Sequence, residues 1–409
     1  MSVQLTQQAI SPEDLLEPGS PRLAALLEAV AAGAAERDRD RVPPYDQIQL
    51  IKDSRLGALR VPPEYGGAGG SLRDLFRVVV ALGAADSNVA HILRQHFAFV
   101  EQSLRSTNEE QRERWLREAA AGTIFGGAAT ELGNTRVGAE SVSTHLTRDA
   151  AGELRINGTK YYSTGSLYSD WLMLTAADEQ GEIAAVIVPA DREGVTLEDD
   201  WDGIGQSLTG TGTTRLENVL VEPDEVLELR MRADGSFQRC GVLQLFITAV
   251  IAGVIRNAAD DAAALVRSRE GRPFAHAPAE RPADDPLLQE VVGEMASAAY
   301  AAEATVLIAA EAQDAEAQSV LDGQPDEDLA HQASLEAAKA KVVVDEIAFR
   351  ATTRIFDVGG ASATKKAKNL DRHWRNARTL STHNPLLYKA QAIGDLEING
   401  APLPSTWFF

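Results

Sequence analysis

The composition of the chain changes twice along its length, and this change limits the folds that it can adopt. From about residue 21 to residue 121, Ala, Leu, Glu and Arg recur at helical spacing. Between residues 122 and 230, Thr, Val, Ile and aromatic side chains become more frequent and glycines separate short apolar runs, which is typical of β-strands. A strand-rich segment that follows a helical one predicts separate domains of the α+β class.

The third part of the chain, from Gly241 to about Asp357, is rich in Ala and periodic again. Three long segments, near residues 243–269, 284–318 and 328–357, match helical periodicity and predict a bundle of helices. We therefore predict three domains: a helical domain at 1–121, a β domain at 122–230, and a helical bundle with a C-terminal tail at 231–409.

One local turn is predicted inside the β domain. Asn157-Gly158 is flanked by strand-like residues, and type I′ turns need positive φ at both central positions, which Asn and Gly tolerate. This dipeptide predicts a β-hairpin turn.

The charge and the cysteine content exclude several classes of function. The chain has 60 Asp and Glu against 39 Lys and Arg, a net charge of −21, and such a surface repels nucleic-acid phosphates and anionic lipids. The single cysteine, Cys240, excludes an internal disulfide and a metal site built from several cysteines. The first residues lack the pattern of a secretion signal, and no uninterrupted apolar run has the length of a membrane span. We expect a cytoplasmic protein with no nucleic-acid, membrane or metal partner.

Common catalytic motifs are absent from the sequence. It contains no P-loop, no Gly-x-Gly-x-x-Gly after a strand, no His-Glu-x-x-His and no Gly-x-Ser-x-Gly. Three stretches of small and polar residues remain near the ends of the β domain, at 126–131, 161–166 and 200–212. Taken alone, these stretches indicate turns.

Several segments, in this order along the chain, carry a resemblance to a known family. They are Val61-Pro-Pro-Glu-Tyr-Gly-Gly67, Ile156-Asn-Gly-Thr-Lys160, Asp199-Asp-Trp201 with Gly203-Ile-Gly205, Val221-Glu-Pro-Asp-Glu-Val226, and Asp371-Arg-His-Trp-Arg-Asn-Ala-Arg378 with His383-Asn-Pro385. Over nearly its whole length the chain resembles the acyl-CoA dehydrogenase superfamily, and within it the flavin-dependent monooxygenase branch. The resemblance implies an N-terminal helical domain, a middle β-barrel or β-sandwich domain and a C-terminal four-helix bundle, assembled as a homotetramer.

The same resemblance implies a flavin between the β domain and the bundle, with reduced FMN preferred and FAD as the alternative. It assigns Thr130, Ser163 and Thr164 to the pyrimidine edge of the flavin, and Trp201 to its ring system. It assigns phosphate contacts, some of them to a neighbouring subunit's flavin, to Arg272, Gly359 and Gly360.

A departure from the dehydrogenase pattern bears on the chemistry. Where common acyl-CoA dehydrogenases carry the glutamate that removes the α-proton, the resemblance places Asn384, and an amide is not a general base. It assigns His383 and His96 to the oxygen-activating pocket, where a C4a-hydroperoxyflavin must be shielded and given a proton or a hydrogen bond. Thr164 keeps the hydroxyl of a pocket serine of the family. The other histidines, His91 and His373 among them, are expected to be structural.

These residues lead to one function and two alternatives. The first is a two-component flavin-dependent monooxygenase that takes reduced flavin from a separate NAD(P)H:flavin reductase and oxygenates a small aromatic or heteroatom-containing substrate with O2. The second is an acyl-CoA dehydrogenase that holds FAD and carries its base outside the Asn384 position. The third is a non-catalytic flavin-binding or assembly protein with the same fold.

Overall fold

Helices come first, then strands, and then helices again. The computed structural model describes residue 16, residues 19–132, 142–227, 241–269 and 273–404, and residue 409. The N-terminal helices are α1 (Pro21–Ala31), α2 (Ala34–Asp40), α3 (Tyr45–Ser54), α4 (Leu72–Ala85), α5 (Ser87–Ile92), α6 (Arg94–Leu104) and α7 (Glu109–Ala120). Ser71 begins α4 with a capping box to Asp74, and Asp86 caps α5 through its side chain.

The middle of the chain forms one mixed sheet. Its strands are β1 (Phe125–Ala128), β2 (His145–Arg148), β3 (Leu154–Ser163), β4 (Trp171–Ala177), β5 (Ile183–Pro189), β6 (Val195–Leu197), β7 (Gly212–Val221) and β8 (Val226–Leu227). They pair in the order β6-β7-β3-β2-β4-β5-β8, and β1 pairs with β4 in parallel. Alternate side chains of these strands are buried in a core of their own.

The hairpin predicted at Asn157-Gly158 is wrong. Both residues lie inside β3, where the register against β7 shifts between Ile156 and Gly158, and Asn157 Oδ1 accepts a hydrogen bond of 2.7 Å from the backbone N–H of Asn218. A Cβ atom on Gly158 would collide with the side chain of Thr144. The dipeptide therefore serves a β-bulge and a close approach between strands, which outweigh its turn preference.

The C-terminal part is helical, and its three long predicted helices are confirmed. It consists of α8 (Val242–Ser268), α9 (Pro286–Leu321), α10 (Glu327–Arg354), α11 (Arg372–Ser381) and α12 (Leu386–Asn399). Helix α8 is the central one, because α4, α9, α10 and α11 all pack against it. Its residues between Leu245 and Ile255 are buried.

Two glycines allow a close helix crossing in this core. A Cβ atom on Gly253 of α8 would lie 2.5 Å from the carbonyl oxygen of Val80 and 2.6 Å from the carbonyl carbon of Gly83, both in α4. Backbones can approach this closely only where no side chain stands between them. The contact joins the N-terminal helices to the bundle.

Two helices in the described part of the chain are long and apolar enough to cross a membrane, by length and composition only. They are α8 and α9. The most apolar stretch of α8 is 78% buried inside this chain, as in the core helix of a globular protein, whereas that of α9 is 17% buried. Helix α9 therefore presents an apolar surface that the rest of the chain leaves uncovered.

We predict that Gly253→Ala lowers the free energy of unfolding by about 1–3 kcal/mol, because the added methyl group forces α4 and α8 apart. Urea unfolding followed by circular dichroism measures the change. The matched control is Gly293→Ala in α9, where an added Cβ meets open space; it should leave stability unchanged or raise it by up to about 1 kcal/mol. Equal effects of the two substitutions would contradict the close crossing.

Candidate active site

His91 lies at the end of α5 with one of its ring nitrogens engaged. Its Nδ1 is 3.0 Å from Gln206 Oε1, and Gln206 Nε2 in turn donates to Ser87 Oγ at 3.0 Å. Because the amide oxygen can only accept, His91 carries its proton on Nδ1 and its Nε2 is an acceptor. This Nε2 is buried and has no hydrogen-bond partner among the described residues. Burial, together with the charge of Arg94, lowers the pKa of His91 to about 3.

Arg94 follows at the start of α6 and reaches two other segments. Its Nε donates to the carbonyl oxygen of Leu243, at the start of α8, at 3.0 Å, and its Nη1 lies 3.3 Å from His383 Nε2. A guanidinium group can only donate, so His383 accepts through Nε2 and holds its proton on Nδ1. Burial lowers the pKa of Arg94 to about 10, so the side chain remains a cation at neutral pH.

His383 lies in the turn between α11 and α12. Burial of its ring, and then the charge of Arg94, hold its pKa well below its usual range, although the residue as a whole is exposed. Lys341 of α10 holds this turn in place. Its Nζ donates to the carbonyl oxygen of Ser381 at 3.1 Å and to Asp345 at 2.7 Å.

Asn384 occupies the position at which the dehydrogenase base is expected. It is buried, and its Nδ2 donates to Gln244 Oε1. Its own Oδ1 has no partner among the residues that the structure describes. Among the described residues, the cluster of His91, Arg94 and His383 therefore has the amide of Asn384 next to it and no carboxylate in hydrogen-bond contact.

The β domain contributes the residues assigned to the flavin edge. Ser163, at the end of β3, is buried, and its Oγ has no partner among the described residues. Thr164 Oγ1 lies 2.8 Å from Thr211 Oγ1. Thr130 is exposed beside β3, where its carbonyl accepts from the backbone N–H of Tyr161 at 2.8 Å. Trp201 is half-buried and meets Tyr162 edge to face at 6.1 Å.

Close backbone contacts bring this edge to the histidine cluster. A Cβ atom on Gly165 would lie 2.6 Å from the carbonyl oxygen of Ile92, next to His91, and a Cβ on Gly127 would lie 3.1 Å from the side chain of Gln95, next to Arg94. Gln206 links the third polar stretch to His91. The unpaired atoms of Ser163 and His91 are what a polar ring system bound in this place would satisfy, so the residues fit a flavin.

His96, predicted with His383 in one pocket, is engaged elsewhere. Its Nε2 hydrogen-bonds the carbonyl oxygen of Gly57 at 3.0 Å, and its Nδ1 accepts from the backbone N–H of Phe125 at 3.3 Å. The ring is fully buried and stacks on Phe125 with centroids 5.7 Å apart. Both ring nitrogens are therefore used by the backbone, and a catalytic role for His96 stays a prediction.

The residues assigned to the flavin phosphate lie at the other end of α8. Arg269, just past α8, donates to the carbonyl oxygen of Val358 at 2.7 Å, and Gly359 lies against Leu265. Gly360 is exposed, with φ +59°. At 1.5 Å per residue, the 26 residues from Leu243 to Arg269 span roughly 40 Å. One flavin cannot bridge that length. Arg272 lies outside the described residues.

His91, Arg94 and Gln206 belong to this cluster, although none of them is a site residue predicted from the sequence. The available signal was a charged residue inside Val89–Val100, a segment of otherwise mostly apolar residues, and a histidine three positions before it. His373, predicted to be structural, is buried on α11 and contacts Asp261 at 2.9 Å.

We predict that the buried histidines make the protein less stable in acid. Burial lowers the pKa of His96 to about 4, below the value near 6.5 of an unfolded chain. The unfolded chain therefore takes up a proton that the folded protein does not, and this part of the stability is lost as the pH falls from about 6.5 to about 4.

His96→Gln should make the decline of unfolding free energy with pH shallower by about 1 kcal/mol per pH unit between pH 6 and 5. Urea titrations at several pH values measure it. His331→Gln, at an exposed position on α10, should follow the native curve. Parallel curves for His96→Gln and the native protein would contradict the assignment.

Comparisons with known proteins identify the family of the chain. The chain matches the acyl-CoA dehydrogenase N-terminal domain at residues 24–123, the middle domain at 126–219 and the C-terminal domain at 245–386. It is 30% identical to dibenzothiophene monooxygenase of Rhodococcus qingshengii, over 99% of both chains. It is also 30% identical to a probable FMNH2-dependent monooxygenase, SfnC, of Pseudomonas putida, over 95% of this chain and 98% of that protein.

A solved structure supports the same relationship. The crystal structure of FMN-bound TdsC from Paenibacillus sp. A11-2 superimposes with a TM-score of 0.83 and 28% identity, over 95% of this chain and 99% of that one. The resemblance inferred from the sequence is confirmed. The chain is an oxidoreductase that belongs to the acyl-CoA dehydrogenase family, in its branch of flavin-dependent monooxygenases.

Proposed function

We propose that this protein is the oxygenating component of a two-component monooxygenase, which binds FMNH2 and O2 and oxygenates a small aromatic or heteroatom-containing molecule. The observation that carries the proposal is the cluster of His91, Arg94 and His383, next to which the close approach of Gly165 to Ile92 brings the end of β3 with the unpaired hydroxyl of Ser163. FMN is preferred to FAD because the names of the Pseudomonas putida and Paenibacillus relatives specify it.

Residues of the β domain would hold the flavin ring. Ser163 and Thr164 would hydrogen-bond its polar edge together with Thr130, and Trp201 would pack on the ring. When bound, reduced flavin supplies the two electrons with which one atom of O2 enters the substrate and the other leaves as water.

The two histidines of the cluster would manage hydrogen bonds around the bound oxygen. Because Nε2 of His383 faces Arg94, His383 presents an Nδ1–H donor, whereas His91 presents its unprotonated Nε2 as an acceptor. A donor and an acceptor whose directions are fixed by their neighbours can hydrogen-bond the bound oxygen from two sides while both imidazoles stay neutral.

The dehydrogenase alternative has less support at this site. Removal of an α-proton needs a base, and Asn384 offers only an amide. No acidic side chain contacts the three residues of the cluster in the part of the chain that the structure describes.

A separate NAD(P)H:flavin reductase is the proposed source of FMNH2. The sequence contains no nucleotide-binding fingerprint that could bring NAD(P)H to the flavin. Reduced flavin must then arrive by diffusion or by transfer from a partner.

We also propose a cytoplasmic homotetramer in which subunits share flavin sites. Gly359 and Gly360 lie beside the C-terminal end of α8, whereas His383 lies near its N-terminal end. They are therefore too far from a flavin held at His383 in the same chain, and would contact the phosphate of a neighbouring subunit's flavin. Helix α9 offers the uncovered apolar surface that such a contact needs, with Tyr300 and Ile308 exposed.

We predict that His383→Ala and His91→Ala each lower the yield of oxygenated product by roughly 100-fold or more, because a hydrogen-bonding group at the bound oxygen is lost. Incorporation of ¹⁸O from ¹⁸O2 measures product. Stopped-flow mixing of FMNH2-loaded protein with O2 adds a substrate-free reading, in which the native protein should delay the absorbance of oxidised FMN and the variants should shorten that delay.

His331→Ala is the matched control and should behave as the native protein. His96→Ala decides between the two histidines of the N-terminal helices. If His96→Ala loses product yield and His91→Ala does not, the role assigned to His91 belongs to His96. Unchanged product with His383→Ala would remove its assigned role, provided that FMN fluorescence quenching shows equal binding.

We predict that Ile308→Glu breaks the assembly into smaller species, because a carboxylate cannot be buried in an apolar contact. Size-exclusion chromatography with light scattering measures the mass, and FMN affinity should fall at the same time since Gly359 and Gly360 come from a neighbour. Val42→Glu, at an exposed apolar position of the N-terminal domain, is the control. A tetrameric Ile308→Glu protein would contradict this use of α9.

A further inference from the structure

Arg94 is a buried cation without an acidic partner in the described part of the chain. Its side chain is among the buried ones, with the residue 6% exposed. The other buried arginines are paired: Arg60 Nε lies 2.6 Å from Glu101, and Arg105 Nη2 lies 2.6 Å from Glu316. A buried charge without an opposite charge nearby is destabilising. Unlike Arg60 and Arg105, Arg94 would therefore be stabilised by an anionic ligand.

The hydrogen-bonding capacity of Arg94 is only partly used. A guanidinium has five N–H donors, and the two bonds given to Leu243 and His383 leave three of them without a described partner. Both of its partners are neutral acceptors. An oxyanion fits the remaining donors, because two parallel N–H groups match two oxygens of one charged group.

The surroundings of Arg94 leave the charge uncompensated. His91 and His383 flank it, and neither supplies a negative charge: burial lowers the pKa of His91 to about 3, and His383 accepts a hydrogen bond from Arg94 as an imidazole whose pKa is held below its usual range. The amide of Asn384 adds a dipole without a charge. A neutral substrate in this place would leave the cation buried and unpaired, whereas an anionic one would neutralise it.

We propose that the substrate is a small organic oxyanion, a carboxylate or a sulfinate, whose charged oxygens bind Arg94 beside His383. This inference rests on the proposed function, since it names the substrate class of that same site. Arg94 acts here as a specificity-determining residue.

The test measures anion binding to the FMN-loaded full-length protein by calorimetry, with methanesulfinate and benzoate as probes and indole as the neutral comparison. The native protein should bind at least one of the two anions, and the stronger binder identifies the class. Arg94→Leu should weaken that binding roughly 10- to 100-fold, the loss of a charge-assisted hydrogen bond. Arg94→Lys should restore part of it, and indole affinity should not fall in either variant.

The matched control is Arg77→Leu, which removes an arginine exposed on α4 and should bind the anions as the native protein does. Anion affinity that is equal in Arg94→Leu and the native protein overturns the proposal, as does a native protein that binds neither anion. Loss of FMN from Arg94→Leu with anion binding intact would assign Arg94 to the flavin instead.

Failure of the proposed monooxygenase function can be distinguished from failure of the oxyanion site. If the native protein does not delay oxidation of FMNH2 and yet binds anions through Arg94, the oxyanion site stands without the monooxygenase chemistry. If Arg94→Leu does not fold, Arg94→Lys carries the comparison, and a lysine variant with native anion affinity and native indole affinity would argue against bidentate recognition.

Discussion

The burial of α8 is the constraint on which the rest of the structure depends. Helices α4, α9, α10 and α11 pack around it, and the glycine pair Gly83 and Gly253 lets α4 touch it backbone to backbone. Its first turn supplies the Leu243 carbonyl that orients Arg94, and the residue after its last turn, Arg269, holds the loop before Gly359. One rigid helix thus fixes the ring end of one proposed flavin site and the phosphate end of another.

A second constraint is that buried polar groups must have hydrogen-bond partners. The bonds of Gln206 show how this constraint fixes the tautomer of a histidine. Its backbone N–H donates to Asn376 Oδ1 at 2.6 Å, and its side chain joins Ser87 to His91. Asn376 in turn donates to Asp38 at 3.2 Å. The N-terminal helices, the β domain and α11 meet in this chain of bonds, and because each member has a fixed direction, the tautomer of His91 follows from the fold.

A feature can be predicted from the sequence when it depends on residues that are close together along the chain. The long helices could be predicted because their periodicity is local and sustained. The strand conformation of Asn157-Gly158 could not be predicted, because it depends on Asn218 in another strand. His383 follows from a motif, whereas the place of His91 depends on Gln206, 115 residues away, and the contact of Arg94 with His383 spans 289 residues. Pairings of this kind are tertiary and leave no periodic trace.

The electrostatics of the cluster follow from the same burial. Burial lowers the pKa of His91 and holds that of His383 below its usual range, while the guanidinium of Arg94 keeps its proton even with a pKa of about 10. The cluster therefore holds one positive charge, on Arg94, between two imidazoles that can donate or accept hydrogen bonds. This charge is the physical basis of the oxyanion preference proposed for the site. Arg94 attracts a negative charge that enters the cluster and repels a positive one, whatever the shape of the molecule that carries it.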